Sequence, residues 1–196
     1  MTRTERQKEA IKRWINAKGK GTIIGSTGFG KTRIALMTIQ GLLKKYPQMR
    51  ILVVVPTETL KNQWISHVDK WGFQFNVEIS IINTIIKHSY TCDMLILDEI
   101  HRLGSDCFSK VFECVKYKLI LGLTATIERL DGKHTLIQKN CPIVDEINTL
   151  ECLANGWISD YKEYQVLINV DDIDTYKVNF EYPIFIIKSC YGSSRS

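Results

Sequence analysis

Gly25-Ser-Thr-Gly-Phe-Gly-Lys-Thr32 is a complete G-x-x-x-x-G-K-T loop, and its surroundings decide the fold. The apolar run Thr22–Gly25 precedes it. Residues 31–45 follow with apolar side chains at helical spacing, including Ile34, Leu36, Met37, Ile39, Leu42 and Leu43. Strand, glycine loop and helix in that order form a phosphate cradle: the glycines let backbone N–H groups curl around an anion, and the helix N-terminus adds positive potential. In this reading Gly25, Ser26, Thr27, Gly28, Phe29 and Gly30 wrap the phosphates. Lys31 reaches the β and γ phosphates as a point charge, and Thr32 offers its hydroxyl to Mg²⁺. The expected ligands are ATP and Mg²⁺.

Working outward, four further apolar runs stand at Ile51–Val55, Val77–Ile82, Met94–Leu97 and Lys118–Leu123. Several are almost continuously apolar, as strands buried on both faces are. Helical patterns over residues 4–17, 31–45, 58–70 and 106–115 alternate with them. The alternation predicts an α/β fold with a doubly wound, mainly parallel sheet. After Asp131 the pattern loosens, with a short helix expected at 149–156 and a last strand at 164–168. We place a domain boundary near residue 170, with residues 171–196 a partly disordered linker or the start of a second domain.

The strand ends carry the chemistry. Asp98-Glu-Ile-His101 follows Met94–Leu97 directly, about seventy residues after the phosphate loop. Carboxylates at the end of a buried strand are costly without a task. Asp98 has the place of an acid that holds Mg²⁺ through its water shell, and Glu99 beside it can take the proton of an attacking water. His101 is expected to couple this site to the rest of the domain. Leu121-Gly-Leu-Thr-Ala-Thr126 runs another strand into hydroxyl residues, and Thr124 and Thr126 are expected to link nucleotide state to the carboxylates. Val55-Pro-Thr-Glu-Thr-Leu-Lys-Asn-Gln-Trp64 ends a fourth strand; Pro56 and Thr57, before a helix N-terminus, suit a nucleic-acid phosphate. Trp64 and Trp71, seven apart on one helix, read as core. All these motifs lie at carboxyl ends of strands, where open α/β sheets bind ligands.

These motifs together resemble motifs I, Ia, II and III of superfamily 2 helicases. Ile127-Glu-Arg-Leu-Asp-Gly132 is similar to a T-A-T-P-x-R-x-D-G pattern of XPB-like helicases, phage recombination helicases of the UvsW type and restriction-enzyme motor subunits, with Ile127 in place of proline. Leu150–Tyr161 is similar to a segment of the same group. The resemblance covers residues 3–168 and implies a RecA-like ATP-binding domain of a DExH-box helicase or translocase. It also implies that Gln7 reads adenine, although the Arg-Pro-Tyr that usually precedes that glutamine is absent. Such motors carry a second RecA-like domain supplying arginines to the γ-phosphate. The expectation is therefore one half of a motor (a fragment, a truncated product or a split-motor subunit) that meets its second domain in cis or in trans and unwinds nothing alone.

Composition agrees and excludes other classes. The 196 residues carry a net charge of +5, but from Glu151 onward there are four basic and seven acidic residues, so the first 150 carry about +8. A basic body suits a polyanion, DNA ahead of RNA in this resemblance. The opening cations, Arg6 among them, also fit the solvated face of a helix. No run is long enough to span a bilayer and the first residues are not a signal peptide, so we expect a cytoplasmic protein without membrane partners. The six cysteines show no metal-ligand spacing and read as reduced thiols. A nucleotide-dependent binding module without turnover is the alternative, and the complete set Lys31, Thr32, Asp98 and Glu99 argues against it. A phosphate-loop kinase would give the T-A-T and V-P-T motifs no purpose.

Overall fold

In the computed structural model the described residues are 1–99, 105–125 and 139–159, with backbone alone for 105–109. All described residues lie in one compact unit, Met1–Ser159.

Helix α1 (Arg3–Asn16) opens on a reciprocal cap: the Thr2 hydroxyl accepts from the Glu5 N–H and the Glu5 carboxylate accepts from the Thr2 N–H. Strand β1 (Lys20–Gly25) leads through the phosphate loop into α2 (Lys31–Lys45), then β2 (Ile51–Val55), α3 (Glu58–Trp71) and β3 (Val77–Ile81). Thr57 caps α3 by accepting from the Leu60 N–H at 3.3 Å. The short α4 (Ile82–Ile85) and β4 (Tyr90–Thr91) precede β5 (Met94–Asp98), α5 (Ser105–Cys114), β6 (Val115–Lys116) and β7 (Leu119–Thr124). Beyond residue 138 come β8 (Ile143–Ile147) and α6 (Thr149–Ala154).

Six strands form one sheet in the order β3-β2-β5-β7-β1-β8, every pairing parallel. Residues alternate between two apolar layers. Val53, Val55, Ile96, Leu121 and Leu123 pack into one layer with Ile34, Ile39 and Trp64 from the helices. Leu52, Val54, Leu95, Leu97 and Ile120 face the other, beside Ile85 and Val111. Burial on both faces explains why β2 and residues Met94–Leu97 of β5 are unbroken apolar runs. The five strands and four helices expected before residue 124 stand within two residues of their expected bounds, whereas β8 and the small β4–β6 ladder have no counterpart in the sequence reading. The expected strand at 164–168 lies outside the described residues, as do His101, Thr126 and Ile127.

Cys92, Cys141 and Cys152 are buried free thiols. Burial pushes Cys92 and Cys141 up to about 11. At pH 8 about one in a thousand of each is thiolate, the nucleophilic form. Iodoacetamide at pH 8 should therefore leave both unlabelled in the native chain and label both after denaturation, by peptide mass spectrometry. Rapid native labelling would place them outside the core.

Candidate nucleotide site

The phosphate loop is shaped by its glycines. Gly28 and Gly30 hold φ of +83° and +95°, which side-chain-bearing residues rarely adopt. A Cβ on Gly30 would also come within 2.8 Å of Gln7 Nε2. Behind the loop, the Ser26 N–H donates to the Ile147 carbonyl at 3.1 Å, and the Ser26 hydroxyl lies 3.0 Å from Thr149 Oγ1. Phe29 is buried, its ring centroid 5.5 Å from that of Trp157. Strand β8 and the residues after it thus form the back wall of the loop, a part the motifs alone do not reveal.

Helix α1 closes another side. Gln7 is fully buried; its Nε2 donates to the Phe29 carbonyl at 3.0 Å, and its Oε1 has no hydrogen-bond partner. Arg3, one helical turn earlier, donates through Nε to the same carbonyl at 2.8 Å and through Nη2 to the Gly28 carbonyl, its guanidinium over the Phe29 ring. Sequence reading misses Arg3, although its i, i+4 spacing from Gln7 puts both on one helix face.

The charged centre sits at the ends of β1 and β5, with β7 between them in the sheet. Lys31 is 9% exposed and donates from Nζ to the Gly25 carbonyl at 2.9 Å; Glu99 Oε1 lies 4.0 Å from that nitrogen. Asp98 is 4% exposed, accepting from Trp64 Nε1 at 2.7 Å on Oδ2 and from the Glu99 N–H at 3.0 Å on Oδ1. Burial pushes the Lys31 ammonium down, opposed by Glu99 and Asp98, and pushes the Asp98 carboxyl up, opposed by the Trp64 hydrogen bond. Each group is partly desolvated, and the opposite charge of the other offsets part of that cost. Glu99 holds φ of +51°, a left-handed backbone that costs a non-glycine residue on the order of 1–3 kcal/mol.

The remaining expected residues are placed as follows. Thr32 is half-buried in the first turn of α2, Thr27 and Gly28 are exposed at the loop tip, and Thr124 is fully buried at the end of β7. Pro56 and Thr57 stand where β2 meets α3, Thr57 exposed. Among the described residues no group of three or more His, Cys, Asp and Glu gathers to hold a metal, and no helix is long and apolar enough to cross a membrane. The Asp98 carboxylate and Thr32 hydroxyl are hard oxygen donors. That set fits Mg²⁺, which takes one or two carboxylates together with substrate phosphates and keeps several waters.

The sequence family described as type III restriction enzyme, res subunit, matches residues 1–90 and 79–129. The DNA 3'-5' translocase XPB2 of Sulfurisphaera tokodaii is 32% identical over 180 residues, which cover 84% of this chain and 40% of that protein. A putative ATP-dependent RNA helicase of African swine fever virus is 32% identical over 151 residues, covering 64% of this chain and 29% of its own length. The chain thus spans less than half of these relatives. Among solved structures, the UvsW helicase of bacteriophage T4 superposes with a TM-score of 0.57 at 17% identity, covering 72% of this chain and 58% of that one. The type ISP restriction-modification enzyme LlaGI gives 0.62 at 16%, covering 78% and 20%. At these identities the structures show a shared fold.

Proposed function

The chain belongs to the type III restriction enzyme res subunit family, as an N-terminal RecA-like domain of superfamily 2, and we propose that it binds and hydrolyses ATP with Mg²⁺ as one half of a nucleic-acid-dependent motor. One observation carries this reading: a desolvated lysine in a glycine-built phosphate loop lies 4.0 Å from Glu99 and beside buried Asp98. The N–H groups of Thr27, Gly28 and Gly30 and the Lys31 ammonium would hold the phosphates, those of Ser26 and Phe29 being given to the Ile147 and Ser26 carbonyls. Thr32 and Asp98 would hold the cation, whose charge offsets that of the phosphates. Glu99 would take the water's proton, and Thr124 would carry the change onward. Gln7 Oε1 is a buried acceptor without a donor; such a group costs roughly 1–3 kcal/mol, and an adenine amino group could satisfy it.

Hydrolysis also needs positive charge on the far side of the γ-phosphate. An arginine supplied there contributes about 10³–10⁵ in rate. We assign that side to a second RecA-like domain, in cis or in trans. The 196 residues alone should then hydrolyse slowly and separate no strands. For nucleic acid we favour DNA, on the translocase among the relatives, with first contacts at Pro56 and Thr57, where the N-terminus of α3 and an exposed hydroxyl suit a backbone phosphate. Binding should weaken with salt as phosphate contacts are screened. Anisotropy titrations of matched DNA and RNA strands would expose the opposite preference.

Calorimetry tests the site itself. Lys31→Ala removes the main side-chain partner of the β and γ phosphates, so ADP and ATP binding in Mg²⁺ should fall at least tenfold, the equivalent of about 1.4 kcal/mol. Equal affinity in the two proteins would remove residues 25–32 from the nucleotide site.

A further inference from the structure

Trp64 reads from the sequence as a core residue, and its ring does lie in the larger apolar layer, 1% exposed. Its N–H has a second task. The 2.7 Å bond from Nε1 to Asp98 Oδ2 joins α3 to the end of β5 across 34 residues of sequence. The Glu99 N–H holds Oδ1 at 3.0 Å. Each carboxylate oxygen thus has one donor that fixes the plane of the group and keeps a lone pair for another partner. An indole packed on all sides cannot swing away, so the donor is fixed in place with the core.

We propose that Trp64 is a positioning residue for the cation: its indole N–H fixes the orientation of the Asp98 carboxylate that faces Mg²⁺ on the bound nucleotide. This rests on the nucleotide-site reading above. Groups that orient metal ligands in this way commonly contribute 10–100-fold to metal affinity. Phenylalanine at position 64 would keep an aromatic ring in the layer but take from Oδ2 the donor that α3 supplies.

The test separates the cation from the nucleotide. ADP affinity of the purified chain is measured by calorimetry in excess Mg²⁺ and again in EDTA, for wild type and Trp64→Phe. We expect matching affinities in EDTA and a Mg²⁺-dependent gain that is about 10–100-fold smaller in Trp64→Phe. In an Asp98→Asn background the Trp64→Phe change should add nothing, since its route to the cation is gone. Should Trp64→Phe not fold, a benzothienyl-alanine placed at position 64 by suppression keeps the ring's shape and exchanges only N–H for sulfur. An undiminished Mg²⁺ gain in the Trp64 variants, or an equal loss in EDTA, overturns the positioning role while leaving the nucleotide site intact. A wild-type chain that binds no ADP with Mg²⁺ overturns the nucleotide site and this role with it.

Discussion

Glu99→Gln is expected to leave ATP affinity within a few-fold of wild type and to lower single-turnover hydrolysis by about 10²–10⁴, the usual contribution of a positioned general base. The argument starts from the backbone. Left-handed φ at a non-glycine residue is unfavourable, and Glu99 adopts it directly after a strand whose every residue is buried. The turn brings its carboxylate to 4.0 Å from Lys31 Nζ, while its own N–H steadies Asp98. An amide of the same size keeps that turn and the N–H but cannot take a proton, so binding and turnover should separate. Single-turnover measurement with labelled ATP reads the chemical step even where steady-state turnover is slow. A Glu99→Gln chain that hydrolyses at the wild-type rate would take Glu99 out of the mechanism. If both binding and hydrolysis fall together, the residue's task is to shape the turn.

The sheet is legible in the sequence because burial on both faces writes an unmistakable pattern. Ile51–Val55 and Met94–Leu97 are continuous apolar runs, and the helices between them carry apolar side chains at helical spacing. Strand β8 escapes for the opposite reason. It lies at the sheet edge, and its sequence Ile143-Val-Asp-Glu-Ile147 places two acids mid-strand. One of these, Asp145, points inward onto arginines of α1 that are distant in sequence, and local pattern says nothing of such a partner. The two-residue strands β4 and β6 are too short to show any periodicity.

Within the site, residues tied to a motif can be read, and those recruited by packing cannot. Lys31, Asp98 and Glu99 fall together because their motifs follow β1 and β5, strands of one sheet with β7 between them. The back wall of Ile147, Thr149 and Trp157 becomes visible only once β8 lies beside β1. Trp64 reads as core, which is half of what it does: one ring carries both an apolar face and a donor, and composition reports only the first. Arg6 reads as one of the surface cations of α1, yet it is buried.

That arginine carries the largest stability effect expected of a single site. Arg6 donates from Nη1 to Asp145 Oδ2 at 2.5 Å, from Nη2 to Oδ1 at 3.0 Å and from Nε to Glu151 Oε1 at 2.7 Å. Arg13 reaches Asp145 Oδ1 at 2.6 Å, and the Asp145 side chain is wholly shielded from solvent. Removing one partner leaves the other charge buried with too few counter-charges, which typically costs about 3–5 kcal/mol. Arg6→Ala and Asp145→Ala should each lose about that much in urea unfolding, or roughly 6–20 °C in Tm for a chain of this size. Arg13 is half-exposed, so Arg13→Ala should cost at most about 1 kcal/mol. Replacing both members, as in Arg6→Met with Asp145→Leu, should recover much of the loss, because no lone buried charge remains. The consequence reaches the nucleotide site, since Arg6 stands between Arg3 and Gln7, and all three tie α1 to its neighbours: Arg6 to β8 and α6, the others to the phosphate loop. With Arg6 gone, α1 is free to shift and Gln7 with it, so Arg6→Ala should weaken ADP binding even at temperatures where the chain stays folded. The apolar pair should restore stability more fully than it restores ADP affinity, because it returns packing but not the fixed angle that a two-pronged arginine imposes. A chain in which Arg6→Ala melts within about 2 °C of wild type, where about 6–20 °C is expected, would show that the network adds nothing to the fold.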